Sequence, residues 1–212
     1  MEKKLAFIHI PKNAGWTIKD AIKKNNLNII YIHHKYSSKI SNTEEIVVIR
    51  DPIQRFVSAF NYSKTSWKNP IINQFNDVNE LVDALMDSNN NKHKFAQYYI
   101  TNSKEAIIKR EGNFRKKYLH KINNKLTKYT WTIEPQSSWL INNPIHIIRM
   151  NHLEEDFNKI LSNFGYPSVK MKIKNISKKY SKITNLTDKQ KEFLYNMYKK
   201  DYDFIKKHNL DL

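Results

Sequence analysis

Two short runs of β-branched and apolar residues bracket a stretch of helical periodicity, and this order constrains the fold more than any other feature of the chain. Leu5–Ile10 (LAFIHI), closed by Pro11, has the composition and length of a buried strand. After the turn PKNAG, Ile18, Ala21 and Ile22 recur at i, i+3, i+4 spacing, which predicts a helix over Trp16–Lys24. Asn28–Ile32 (NIIYI) reads as a second strand and Glu45–Ile49 (EIVVI) as a third. Strand, helix and strand in succession make a βαβ unit, whose strands run parallel and whose crossover is right-handed. Ile145–Arg149 (IHIIR) supplies a fourth strand. The expected class is α/β, with a central parallel sheet flanked by helices.

Asp51 suits an N-cap, Pro52 the first helical position, and Gln54 completes a capping-box pattern. The helix that follows buries Ile53, Phe56, Val57 and Phe60. Further helices are expected at about 78–88, 92–111, 135–141, 153–164 and 188–207. Gly165 with Pro167 beyond it stops one of these, and a Thr187–Gln190 capping box starts the last. The Lys-rich stretch Gly165–Ser181 reads as an exposed basic loop. At 212 residues, without internal repeats, the chain is expected to form a single domain over 1–212.

Lys and Arg together number 37 against 20 Asp and Glu, a net charge of +17 that attracts polyanions. Only Arg50, Arg55, Arg110, Arg115 and Arg149 are arginines, and bidentate reading of phosphate and guanine favours Arg. No helix-turn-helix, zinc-finger or RNP pattern is present, so no specific nucleic-acid partner is expected. The absence of Cys excludes a disulfide scaffold, a thiol nucleophile and thiolate metal sites. The histidines have no metal-ligand spacing, so no metal is expected. No window approaches the ~18–20 apolar residues of a membrane span, and the run after Lys4 is too short for a signal-peptide core. The expectation is a soluble, cytoplasmic protein without a membrane span.

The chemistry-bearing residues fall in two clusters. In the first, Lys12, Asn13, Ala14, Gly15, Trp16 and Thr17 lie between the first strand and its helix. Backbone N–H groups at a helix start attract anions, Lys12 adds a full charge, Gly15 permits close backbone approach, and Thr17 offers a hydroxyl. Lys precedes Gly here, the reverse of the Walker A order. In the second, Arg50-Asp51-Pro52-Ile53-Gln54-Arg55-Phe56-Val57-Ser58 follows a parallel strand at the edge where ligands bind in open α/β sheets. Arg50 with Ser58 suits a second phosphate. Arg55, Ser58 and Tyr62 fall opposite the apolar face of the helix, so Arg55 is expected on its solvated side.

Together the two clusters resemble the sulfotransferases that depend on 3′-phosphoadenosine 5′-phosphosulfate (PAPS), in particular the carbohydrate branch. The P-K-x-x-G loop resembles that family's 5′-phosphosulfate loop, and R-D-P-x-x-R-x-x-S its 3′-phosphate segment. Trp16 stands where the family usually has Thr or Ser. Pro135-Gln136 resembles a family P-Q step, and Ile148–Phe157 a strand-to-helix stretch with Asn151 in place of Glu. The basic loop after Asn175-Ile176-Ser177 is similar to one that closes over the cofactor in relatives, which implicates Lys178. The resemblance implies a P-loop-like three-layer fold and in-line transfer of a sulfuryl group from PAPS to a hydroxyl acceptor, with a glycan as the expected acceptor, without metal.

Lys12 suits the bridging oxygen of the departing phosphate, and the base must stand on the acceptor side. His33-His34 ends the second strand, and a neutral imidazole suits general-base work near neutral pH. Uronyl 2-O-sulfotransferases, which this stretch resembles, carry their catalytic His after the corresponding strand. His34 is taken as base because a residue just beyond the strand can turn toward the cleft. His33 and Glu134 are assigned to the acceptor, with Glu134 the rival base and His9 read as structural. A magnesium-dependent nucleotide kinase and a non-catalytic nucleic-acid-binding module remain the competing readings.

Overall fold

The computed structural model describes residues 4–33, 42–65, 71–97, 99–100, 119–122, 125–128, 133–140, 146–172 and 186–212. The chain gathers into two compact units, one of residues 1–52, 135–176 and 199–212, the other of residues 53–134 and 177–198.

In the first unit, β1 (Lys4–His9), β2 (Ile29–His33), β3 (Thr43–Ile49) and β6 (His146–Arg149) form a sheet in the order β2-β1-β3-β6. Every pairing is parallel, with His9 opposite His33 and Ile8 opposite Val47. The four strands read from sequence are thus present. Helix α1 (Gly15–Lys24) connects β1 to β2, and α4 (Leu153–Asn163) follows β6. Ile18, Ala21 and Ile22 of α1 join Phe157, Ile160 and Leu161 of α4 in one core with Leu5, Phe7, Ile46, Val48 and Ile148 of the sheet. The alternate strand residues Ala6, Ile8, Val47 and Ile49 are buried too, as a parallel sheet covered on both faces requires. Gly165 ends α4 at φ 72°, as its position predicts, and Tyr166 N–H bonds back to Leu161 O at 3.0 Å.

The second unit holds α2 (Pro52–Thr65, from Ile53 onward), α3 (Val78–Met86), α5 (Asp188–Met197) and a hairpin of β4 (Leu119–Ile122) with β5 (Lys125–Lys128). Asp77 caps α3 through Glu80 N–H, and the expected Thr187–Gln190 capping box starts α5. The Nε2 of Gln190 also donates to Asp83 Oδ1 at 2.7 Å, tying α5 to α3.

Three expectations change. The helix expected over 188–207 is two helices, α5 and α6 (Lys199–Lys207), parted at Tyr198 with φ −104° and ψ 21°. Tyr198 donates its hydroxyl to Ile133 O at 2.6 Å, and Asp201 is wholly buried, so each side of the break is held by its own partner. The stretch 135–141 forms only a 3₁₀ turn, Gln136–Trp139. Arg55 is not solvated: it is fully buried, donating from Nη1 to Glu134 O at 2.5 Å. A helical wheel knows only the helix's main core, and here a second segment of the same unit covers the opposite face. Among the described residues, no helix is long and apolar enough to cross a membrane.

Candidate active site

The strand order 2-1-3-6 places a topological switch point between β1 and β3, where the chain leaves in different directions. The turn Pro11–Ala14 and Arg50 both stand at the carboxyl ends of these strands. Lys12 has φ 69° and Ala14 φ 52°. Left-handed backbone at residues other than glycine stores roughly 1–3 kcal/mol each and persists only where surroundings enforce it.

The enforcing contacts are visible. Asn13 is buried at 1% exposure, and its Nδ2 donates to Val48 O and to Gln136 Oε1, both at 2.7 Å. The same Gln136 side chain brackets Arg50, accepting from its N–H at 3.2 Å and donating to its carbonyl at 2.5 Å. Arg50 Nη1 donates to Lys12 O at 3.4 Å. Beneath them, Asp201 accepts from Gln136 N–H at 2.9 Å and Ser137 N–H at 2.8 Å. Asp201, Gln136 and Asn13 therefore form one buried chain of hydrogen bonds that fixes the turn and Arg50 together.

The turn presents donors. Thr17 and Ile18 N–H both close on Ala14 O, whereas Ala14, Gly15 and Trp16 have no backbone acceptor among the described residues. Exposed N–H groups at a helix start, next to residues of left-handed backbone, make an anion-binding concavity. Asn13 Oδ1 is buried without a partner among the described residues, so this turn also keeps one acceptor in reserve. Lys12 is half-buried, and Thr17 is buried at 2% exposure.

A second cluster lies across β1, on the side of β2. The His9 ring occupies the space above Gly15, where an added Cβ would stand 1.7 Å from His9 Cδ2. Gly15 is thus required by His9, a role beyond the close ligand approach expected of it. His9 Nδ1 lies 3.0 Å from His33 Nδ1 and 2.5 Å from the Tyr31 hydroxyl, which is 3.2 Å from His33 Nδ1. Trp16 stands edge-on to both imidazoles, with centroids at 6.2 Å from His9 and 5.6 Å from His33. Lys19 Nζ sits 4.7 Å from the Trp16 ring and 5.2 Å from that of Tyr31. Burial first, then the charges of His33, Lys19 and Lys12, lowers His9 from 6.5 to about 3, so it is neutral at physiological pH. Burial also raises the Tyr31 phenol, which keeps its proton.

Of the residues singled out from sequence, Lys12, Asn13, Ala14, Gly15, Trp16, Thr17, Arg50 and His33 gather at this end of the sheet in the first unit. Ser58, half-buried on α2, and Glu134, buried at 2% exposure, belong to the second unit. His34 and Lys178 lie outside the described residues. Sequence reasoning missed the roles of His9, Tyr31, Gln136 and Asp201. His9 and Tyr31 carried a signal, since both share the face of His33 on adjacent parallel strands. Asp201 carried none, being one acidic residue among alternating charges. Among the described residues, no three His, Asp or Glu side chains converge on a metal position.

A family model described as the sulfotransferase family matches residues 1–206. Comparison with curated proteins and with solved structures returned no match.

Proposed function

The chain belongs to the sulfotransferase family, and from that premise we propose that it transfers a sulfuryl group from PAPS to a hydroxyl of a carbohydrate. The observation that supports this reading most is the strained turn at Lys12 and Ala14, tied to Arg50 through Gln136. Strain at a switch point, enforced by buried hydrogen bonds and rimmed by free N–H groups, suits an anionic ligand.

The division of roles follows from chemistry. Lys12 and the N–H groups of Ala14, Gly15 and Trp16 hold the 5′-phosphosulfate, with Asn13 setting the turn and Thr17 closing its first helical turn. Lys12 neutralises the charge that develops on the departing phosphate. Arg50 takes the 3′-phosphate. The motif correspondence adds Ser58 to that phosphate and Lys178 to the donor; Glu134 is assigned to the acceptor and is the rival base. The base comes from the pair His33-His34, of which the sequence favours His34. Transfer needs no metal, because Lys12 and the helix start supply the positive charge. A Lys-rich chain suits an acidic glycan as acceptor.

Incubation with labelled PAPS and a panel of glycans, small phenols and protein tyrosines tests this reading. Label on a glycan, undiminished by EDTA, is the expected result. Label on phenols or tyrosines alone overturns the carbohydrate assignment, and absence of label together with stabilisation by ATP and magnesium overturns the donor.

A further inference from the structure

The backbone of Trp16 belongs to the donor turn, but nothing above uses its side chain. We propose that the Trp16 indole is the platform on which the acceptor's sugar ring stacks, with the Lys19 ammonium beside it reading an anionic substituent of that sugar. This rests on the proposed PAPS-dependent transfer to a carbohydrate and makes Trp16 and Lys19 specificity-determining residues for it.

A lone exposed apolar side chain is ordinary on a protein surface. Trp16 differs from that case in its surroundings. It is 47% exposed, although it starts a helix whose next two residues, Thr17 and Ile18, are buried. Lys19, three residues on and so on the same helix face, holds its Nζ 4.7 Å from the Trp16 ring and 5.2 Å from the Tyr31 ring. The negative faces of two aromatic rings attract that ammonium. Lys19 has no carboxylate partner among the described residues, and its neighbour Asp20 pairs with Lys24 instead. An ammonium carries three donors, and contact with rings leaves them available to an anion. An exposed indole thus stands beside a cation whose charge a ligand can neutralise.

Position says which ligand this is. The donor, as assigned, runs from the Lys12 turn to Arg50 on the β3 side of β1. The indole lies on the other side, its ring centroid 5.6 Å from that of His33 at the end of β2. In-line displacement brings the attacking oxygen in opposite the departing phosphate. What lies against Trp16 is therefore the acceptor rather than the nucleotide.

A pyranose fits this surface. Its C–H face is apolar and its hydrogens are slightly positive, which matches the negative face of an indole, while its hydroxyl edge stays in water. The carboxylate of a uronic acid and a sulfate ester already on the glycan are two sources of the same anionic chemistry at Lys19. A Thr or Ser in place of Trp16 supplies no such face.

Calorimetry on the full chain saturated with adenosine 3′,5′-bisphosphate (PAP) tests the platform without turnover. The probes are tetragalacturonate, which carries carboxylates, a carrageenan tetrasaccharide, which carries sulfate esters, and neutral cellotetraose. Wild type should bind one of the anionic probes more tightly than cellotetraose, and the tighter of the two identifies the source of the anion. Trp16→Ala should weaken that probe by about 10-fold, the order for truncating one large aromatic anchor, and Trp16→Phe should restore part of the loss. Lys19→Met should weaken the anionic probe by about 2–5-fold, the range of a partly exposed ion pair, and leave cellotetraose unchanged. PAP affinity should change little in Trp16→Ala, because every residue but proline keeps the backbone N–H. A Trp16→Ala chain that melts lower yet binds the probe like wild type overturns the platform in favour of a helix-stabilising role. PAP weakened as much as the probe overturns it in favour of a stack on the nucleotide. Wild type that binds PAP but none of the probes also overturns it, whereas wild type that fails to bind PAP overturns the underlying reaction instead.

Discussion

The two sides of β1 are built from different materials. Toward β3, the turn and Arg50 are held by amides and backbone groups: Asn13, Gln136 and the N–H groups that rest on Asp201. Toward β2, the polar atoms of His9, Tyr31 and His33 meet one another. Amide hydrogen bonds do not titrate near neutral pH, so a site built from them keeps its geometry across the working range. An imidazole, unlike an amide, can take up and release a proton, which a proton-transfer site requires and a phosphate cradle does not. On the proposed assignment, one strand separates a binding half from a reacting half.

The largest expected effect breaks the binding half alone. Asp201→Ala leaves the buried Gln136 N–H and the half-buried Ser137 N–H without their carboxylate, and losing two charge-assisted bonds should cost about 3–5 kcal/mol of stability. Chemical denaturation should show that loss, with PAP affinity falling alongside it, while the pH response of the reacting half persists in the protein that remains folded. A fall of less than 1 kcal/mol, by roughly the value of a surface pair, would mean that Asp201 does not support Gln136.

A smaller effect isolates the reacting half. His9 in the folded chain is lowered to about 3, whereas the unfolded chain takes up its proton near 6.5. The unfolded state thus binds the extra proton, so the stabilisation is complete above pH 6.5 and is lost as pH falls toward 3. In the window below 6.5 but above carboxylate titration, stability should fall by up to about 1.4 kcal/mol per pH unit for this one proton. Denaturation at stepped pH should show a flatter slope in His9→Asn. An identical slope would place the titration elsewhere.

The same division explains what was legible in the sequence. The strands, α1 and the capping of α5 were legible because periodicity and caps are local. So were Lys12 and Arg50, since unusual residues at strand ends stand out against apolar runs. The orientation of Arg55 was not, because its burial depends on Glu134, far along the chain. Nor was the break at Tyr198, which is imposed by the partners of Tyr198 and Asp201 rather than by any helix breaker. The β4–β5 hairpin had a signal that went unread, the Asn123-Asn124 pair between two short runs.

The central claim is that Arg50 and the Lys12 turn hold the two ends of a 3′-phosphorylated donor. Calorimetric titration in EDTA, with PAP and with adenosine 5′-phosphosulfate, tests it most directly. Wild type should bind PAP without metal. Arg50→Ala should weaken PAP by about 1.5–3 kcal/mol, the cost of a lost charged hydrogen bond, while adenosine 5′-phosphosulfate, which lacks the 3′-phosphate, changes little. Equal weakening of both ligands would contradict the assignment of Arg50 to the 3′-phosphate, and failure of wild type to bind PAP would contradict the account as a whole.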